Sequence, residues 1–316
     1  MPPGGLVVRW LEEGSPAAVA EALGVVAPEL AGLPISVRAG LSEDDPLWWA
    51  GSAVVGGRYV AKFAWSRAAA LRVVHEIAVL DALADGGVPY LPEVVASSID
   101  PVLLVTRLVP GEALFEVVDS LDRDLVGRQL ARFLGDLHAP AARRQAEAVL
   151  GELPPASLQP ATTDVLRDQF PRWVRPDQRP AVLRWCDWAD EVLATPSTQV
   201  LVHADLHGGN QVWADGKLQV VVDFETAGLA EAEYDLRAFP GTGPGVELLT
   251  STLHHYRQLT GRELVIERVM AWHLRTMLGD ALWRSEAGVP LPDHRTPPAW
   301  VDDLAQRFIA LAIDPF

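Results

Sequence analysis

HADLHGGN at residues 203–210 and VVDFE at residues 221–225 decide how this chain reads. Between the two strings, QVWADGKLQVVVD holds two short apolar runs joined by Asp215 and Gly216, a pair suited to the dihedral angles of a tight hairpin turn. Such a hairpin carries Asn210 and Asp223 back beside each other, with Asp205 just upstream of the first run. The spacing therefore predicts two carboxylates and an amide converging from one short stretch of chain.

Those residue types suit one kind of chemistry. Moving the terminal phosphoryl group of a nucleotide needs magnesium bridging phosphate oxygens, and magnesium takes a few oxygen ligands, such as a carboxylate and an amide carbonyl, while keeping water elsewhere. Asn210 and Asp223 are the candidate ligands. The acceptor hydroxyl must lie in line and lose a proton, which a nearby carboxylate can take. Asp205 is the candidate base.

The two strings resemble the catalytic core of the aminoglycoside phosphotransferase and choline kinase group of small-molecule kinases, relatives of the protein kinases. His203, Asp205 and Asn210 match the HxDxxxxN pattern of that group. HAD and DFE stand where protein kinases carry HRD and DFG, so Glu225 departs from the protein kinase pattern and brings the chain closer to the small-molecule kinases. The resemblance implies an α+β, bilobal, protein kinase-like fold. Residues 1–108 would form a nucleotide-binding lobe, and residues 109–316 a mostly helical lobe with the catalytic loop and the β-hairpin. It also implies Mg2+ and ATP as cofactors, with GTP as the alternative nucleotide. The acceptor would be a small-molecule hydroxyl, first an amino sugar or aminoglycoside antibiotic, otherwise a macrolide, choline-like or homoserine-like compound.

Local patterns fill in this outline. After a helix near residues 17–30, ISVRAG, LWWAGSAVV and RYVAKFAW read as strands, the last two joined at Gly56 and Gly57. SRAAALRVVHEIAVLDALAD then repeats its apolar residues at helical spacing, with Leu71, Val74, Ile77, Ala78 and Leu80 forming one stripe. EVVAS and PVLLVTRL follow as strands, which makes an N-terminal five-stranded antiparallel sheet with one long helix. Beyond Pro110 the pattern becomes helical: a helix over 124–138 stops at Pro140, and others are expected at 161–173, 178–194, 246–259, 264–287 and 298–313. The proline-rich stretch at 151–160 reads as an interhelix loop.

A kinase of this kind also needs a cation on the nucleotide phosphates. Lysine occurs only at Lys62 and Lys217, every other cation being arginine, and Lys62 sits inside an apolar strand where a charge is costly without a partner. Glu76 of the following helix is that partner by resemblance. Taken singly, Lys62 reads as a snorkelling edge residue and Glu76 as a solvated helix charge; the strings downstream favour the pair. In the family the backbone of the connector VTRLVPGE (105–112) meets the adenine edge, so Thr106 and Leu108 are candidates, unless Pro110 and Gly111 mark only a boundary. Ser42, in RAGLSEDDPLWWAG, is a candidate phosphate contact, with an ordinary hairpin loop as the alternative.

The acceptor side is read from AWHLRTMLGDALWRSEAG (271–288), where Trp272, Asp280 and Trp283 fall near one helix face. Two tryptophans there could stack on a sugar ring while Asp280 meets an ammonium group. The alternative makes the tryptophans core and Asp280 with Arg284 a surface ion pair. Glu225 and His207 join the candidates for substrate contact, His207 also reading as a loop brace. His203 reads as a loop brace, as does Asp235 in EAEYDLRAF. Two other classes remain: a metal-dependent hydrolase using His203, Asp205 and His207, and a nucleotide-binding pseudokinase, which would lack one of Lys62, Asp205, Asn210 or Asp223.

The 316 residues suffice for two lobes, and 49% hydrophobic content is that of a globular protein. A net charge of −16 opposes binding to nucleic acid or an anionic membrane surface and suits a cationic substrate. Cys186 is the one cysteine, and MPPGGLVVRW lacks the pattern of a secretion signal, so a cytoplasmic monomer or homodimer is expected.

Overall fold

The computed structural model describes residues 8–38, 50–150, 161–241 and 246–315. Ser42 and the proline-rich stretch at 151–160 lie outside the described residues. Helix α1 (Pro16–Val26), opened by the Ser15 side chain accepting from the Ala18 amide at 3.2 Å, precedes the first sheet. That sheet contains β1 (Ile35–Val37), β2 (Gly51–Val55), β3 (Tyr59–Phe63), β4 (Val94–Ile99) and β5 (Val102–Arg107), with helix α2 (Arg67–Leu83) following β3. All pairings are antiparallel and the order is β1-β2-β3-β5-β4. The expected sheet and long helix are both present.

Strand alternation decides what this sheet does. Ala61 and Phe63 of β3 pack with Leu103 and Val105 of β5 against Val19 and Leu23 of α1. Lys62, one residue out of phase, therefore lies on the opposite face, toward α2. Val102 and Leu104 of β5 likewise join Val73 and Val79 of α2. Because α1 and α2 cover opposite faces, residues 102–105 are buried without alternation. Helix α2 is enclosed in turn. Arg72, His75 and Glu76 are buried along with Val73 and Leu80, where the apolar stripe predicted a single buried face.

The remainder comprises β6 (Glu112–Ala113), α3 (Leu114–Val117), α4 (Arg123–Leu137), α5 (Pro140–Leu150), α6 (Thr163–Gln169) and α7 (Arg179–Leu193), then β7 (Gln199–Val202), β8 (Gln211–Ala214), β9 (Lys217–Val221) and β10 (Gly228–Glu231), and last α8 (Glu247–Thr260), α9 (Ile266–Ala287) and α10 (Pro297–Ala310). Leu130, Phe133 and Leu134 of α4 share a core with Leu248, Leu249 and Tyr256 of α8. Gly127 permits the close approach: a Cβ there would lie 2.4 Å from the Ser251 hydroxyl oxygen and 2.9 Å from the Thr252 amide. Pro140 ends α4 as expected, but it also begins α5, which the sequence reading omitted; a missing N–H costs nothing in the first turn of a helix.

The segment from β7 to β10 is one hairpin nested in another. Inside, β8 and β9 pair around Asp215 (φ 52°) and Gly216 (φ 70°), the left-handed pair the sequence called for. Outside, β7 pairs antiparallel with β10, Val202 opposite Gly228 and Gln199 opposite Glu231. The outer pair clamps together the two ends of the stretch that carries HADLHGGN and VVDFE.

Candidate active site

Lys62 is the hub of the first half of the site. Its ammonium lies 2.6 Å from Glu76, 2.9 Å from Glu225 and in direct contact with Asp223, three carboxylates from two elements far apart in sequence. Burial by itself would lower the Lys62 pKa, but Asp223, Glu76 and Glu225 hold it well above the usual lysine range. Lys62 is therefore a fixed positive charge. Burial, together with the negative charges of Asp223 and Glu225, pushes Glu76 upward against the pull of Lys62. Asp223 is held below the ordinary aspartate range, since Lys62 outweighs the cost of its burial.

The backbone at Asp223 is unusual. Its φ of 72° is left-handed, a conformation that costs a non-glycine residue about 1 kcal/mol or more unless its surroundings enforce it. Here the side chain is anchored on Lys62, and the next amide, that of Phe224, donates to Glu76 at 3.1 Å. The helix that holds the lysine thus also holds the metal-ligand candidate.

The second half is the loop after β7. His203 is fully buried, and burial lowers its pKa, so it is neutral. Its Nε2–H donates to the Val222 carbonyl at 2.9 Å, while its Nδ1 accepts from the Asp205 amide at 3.2 Å. The ring thus ties the loop after β7 to the segment after β9 that carries Asp223, in the bracing role expected of it. Ala204, also left-handed at φ 66°, is held by Asp235, whose carboxylate accepts from the amides of His203 at 3.0 Å and Ala204 at 2.7 Å. His138, which caps the C-terminus of α4, donates to the same carboxylate at 3.1 Å. Asp205 itself stays at the surface of this scaffold, with 39% of its side chain exposed. Asn210 donates from Nδ2 to the Asp205 main-chain oxygen at 2.9 Å and to its carboxylate at 3.3 Å.

That orientation of Asn210 bears on magnesium. With Nδ2 turned to Asp205, the amide oxygen is the group left to face a cation, and Asp223 supplies a carboxylate across the hairpin, where the Val222 amide donates to the Asn210 carbonyl at 2.9 Å. Glu76, Asp223 and Glu225 bring carboxylate oxygens within 4.8 Å of one another, the one such acidic or histidine cluster among the described residues. Glu76 and Glu225 are engaged by Lys62 and Arg72, so the Asp223 carboxylate and the Asn210 amide oxygen are the hard donors that fit Mg2+. The hydrolase set of His203, Asp205 and His207 does not converge in this way, because both nitrogens of His203 already serve the backbone.

Residues 38–277, most of the chain, match the phosphotransferase enzyme family. The chain belongs to that family. No curated protein matches it. Among solved structures, the GDP complex of wild-type aminoglycoside 2'-phosphotransferase-IIIa superposes with a TM-score of 0.66 at 17% identity, covering 92% of this chain and 96% of that one. Macrolide 2'-phosphotransferase MphH from Brachybacterium faecium gives 0.57 at 21% identity, over 90% of this chain and 97% of its own. Spectinomycin phosphotransferase APH(9)-Ia, with ADP and spectinomycin, gives 0.64 at 14% identity, over 94% and 98%. This phosphotransferase therefore shares their α+β fold along nearly its whole length.

The other candidate residues fall in different places. Glu225, expected near the acceptor, instead joins the ion cluster: one oxygen meets Lys62 and the other accepts from the Arg72 guanidinium at 3.0 Å. Its position two residues after Asp223 turns it back toward α2. Leu108 donates its amide to the Arg58 carbonyl at 2.8 Å, so that N–H does not face a base, and Thr106 lies within β5, opposite Val60 and Val94. His207 stacks parallel to the exposed Phe115, ring centres 5.9 Å apart, and its Nε2 lies 3.6 Å from the Asp205 carboxylate. On α9, Trp272 donates its indole N–H to Glu231 and packs edge-on against Tyr234, while Asp280 accepts from Arg284 at 3.0 Å. Trp283 is 49% exposed. These three span roughly 16 Å of helix at 1.5 Å per residue, too far for one small ring to meet all of them. Arg72, His75 and His138 escaped the sequence reading; the one trace of the first two was their polarity inside an apolar helix.

Proposed function

We propose that this enzyme transfers the terminal phosphoryl group of ATP, or of GTP, to a hydroxyl of a small molecule, with an amino sugar or aminoglycoside as the leading acceptor. The observation that carries the proposal is the junction of Lys62 with Glu76 and Asp223, beside a loop in which Asn210 orients Asp205. In this reading residues 1–108 hold the nucleotide and residues 109–316 the catalytic loop and acceptor, joined through the connector that contains Thr106 and Leu108. Lys62 binds phosphate oxygens, and Glu76 keeps its ammonium aimed at them. Asp205 positions the acceptor hydroxyl and takes its proton at the carboxylate oxygen. Asn210 and Asp223 would hold magnesium, which supplies neutralisation of charge on the phosphates. His203 and Asp235 keep the loop in place, so that Asp205 meets the acceptor without rearrangement.

A cationic acceptor is supported by the net charge of −16, and by the aminoglycoside and spectinomycin phosphotransferases among the structural neighbours. His207 is the substrate candidate beside Asp205; Trp272, Asp280 and Trp283 are candidates farther along α9. Macrolide, choline-like and homoserine-like acceptors are the alternatives, a macrolide phosphotransferase also being a neighbour. A cytoplasmic location fits a chain whose one cysteine, Cys186, is buried, with its thiol pKa pushed up to about 12. No helix among the described residues is long and apolar enough to cross a membrane.

The test is a coupled ADP-release assay with Mg2+ and ATP, then GTP, against aminoglycosides, macrolides, amino sugars, choline and homoserine. Asp205→Asn serves as the control and should keep nucleotide binding while turnover falls by about two orders of magnitude or more. Undiminished turnover in that variant removes Asp205 from the mechanism.

A further inference from the structure

Helix α2 touches the segment after Asp223 at three points. Glu76 accepts from the Phe224 amide at 3.1 Å, His75 Nε2 meets the Ala227 carbonyl at 2.7 Å, and Arg72 donates to Glu225 at 3.0 Å. Arg72 and Glu76 stand one helical turn apart and so share a face. Only the Glu76 contact follows from the lysine–glutamate pair of the proposed mechanism. The Arg72 contact is separate, and it is buried: 7% of the Arg72 side chain and 15% of that of Glu225 are exposed.

The donors of Lys62 define the problem that this contact solves. An ammonium has three N–H bonds, and Lys62 is surrounded by three carboxylates, those of Glu76, Asp223 and Glu225. If all three held it equally, no donor would remain for a phosphate. Glu225 accepts from Arg72 at 3.0 Å through one oxygen and keeps the other 2.9 Å from the Lys62 nitrogen, an ion-pair contact without a hydrogen bond. Three acids thus share two cations, and Arg72 decides how much of Glu225 falls on Lys62.

We propose that Arg72 is a positioning residue for Lys62: it draws Glu225 to itself and so releases an N–H of Lys62 to the nucleotide phosphates. The proposal rests on the reading of Lys62 as the phosphate-binding cation. It gives Glu225 a role opposite to that of Glu76. Glu76 holds the ammonium in place, whereas Glu225 competes for it and is kept in check by the arginine one turn away. A lysine at position 72 would keep the charge and lose the directed guanidinium contact.

Binding of ADP with Mg2+, followed by titration calorimetry on the full chain, tests this without knowledge of the acceptor. Arg72→Met should weaken ADP binding at least about tenfold, because it leaves the buried Glu225 charge to Lys62 alone. Arg72→Lys should recover part of that loss. Glu225→Gln should bind ADP no more weakly than the wild type, and the double variant Arg72→Met/Glu225→Gln should return to within about threefold of it. A general loss of packing would not be repaired by the second substitution. A folded Glu225→Gln variant, or a folded double variant, that binds ADP about tenfold more weakly than the wild type overturns the proposal; both comparisons stand if Arg72→Met alone does not fold. Lys62→Ala is the separate control: if it binds ADP like the wild type, the reading of Lys62 itself fails.

Discussion

Replacing Asp235 by alanine tests how the catalytic loop is held. The carboxylate is fully buried and accepts from the amides of His203 and Ala204 and from the His138 ring. His138 in turn meets the Tyr256 hydroxyl at 3.2 Å, so one carboxylate joins the loop to α4 and α8. Asp235→Ala strands three donors that water reaches poorly. Each unsatisfied buried donor costs about 1–3 kcal/mol, and loss of one partner from a buried charged contact about 3–5 kcal/mol. Some relaxation around the small cavity offsets part of this, so we expect a net loss of about 3–5 kcal/mol. For a chain of this length that lowers Tm by about 5–8 °C. Because Ala204 depends on Asp235 for its left-handed conformation and adjoins Asp205, kcat should also fall by about a hundredfold at temperatures where the variant is folded. Urea unfolding and steady-state kinetics measure the two effects. A loss below about 1 kcal/mol with kcat intact would falsify the assignment of Asp235 as the anchor of the loop. The pH dependence has a definite sign. Burial works to raise the Asp235 pKa, yet the hydrogen bond and charge of His138 and the loop amides hold it below the ordinary aspartate value. Its contribution is therefore present above about pH 3.9, the unfolded value, and is lost as pH falls further through the lower folded value.

Three other outcomes are expected. Asp223→Asn keeps a residue that tolerates φ 72° but removes the charge that Lys62 and a cation would meet, so magnesium-dependent ADP binding should drop by at least about tenfold in calorimetry; unchanged magnesium dependence would contradict the ligand role. Burial and the adjacent Arg307 push the His273 imidazole down to about 3, so the unfolded chain takes up a proton near pH 6.5 that the folded one refuses. Stability from this group is complete above the unfolded value and declines between roughly pH 6.5 and 3; His273→Gln, which can still meet Arg307 and the Arg237 carbonyl, should flatten that decline in urea midpoints. Gly127→Ala drives a methyl group into Ser251 and the Thr252 amide, and thermal unfolding should show a loss of about 1–3 kcal/mol; a stabilised variant would mean that α4 and α8 part without cost.

How far the site was legible follows from where each signal resides. Asp205, Asn210 and Asp223 sit in one short stretch closed by a two-residue turn, so local dihedral preferences were enough to predict the hairpin that joins them. Lys62 was conspicuous because lysine is scarce in this chain. Glu225 was misplaced because an exposed acid and a buried, doubly paired one look the same in sequence. Leu108 was a candidate for the adenine edge, and that its N–H is spent on the Arg58 carbonyl could not be read locally, because Arg58 comes from fifty residues upstream. Asp280 and Trp272 lie near one helix face as expected, but their nearest partners are Arg284 and Glu231, groups of the protein itself. Pro140 was read as a stop because its effect on the preceding helix is local, whereas its use as the first residue of the next depends on where the chain turns.

The sequence by itself determined most of the element types and the hairpin that gathers Asp205, Asn210 and Asp223, because turn propensity, strand alternation and helical spacing act over a few residues at a time. Only the tertiary structure decided the charge arrangement on which the chemistry depends. Lys62 meets Asp223 across 161 residues, Arg72 meets Glu225 across 153, and Asp235 reaches back 32 and 31 residues to two loop amides. A buried charge is tolerable only beside its counter-charge, and packing α2 between the sheet and the loop after Asp223 is what brings those partners within hydrogen-bonding distance.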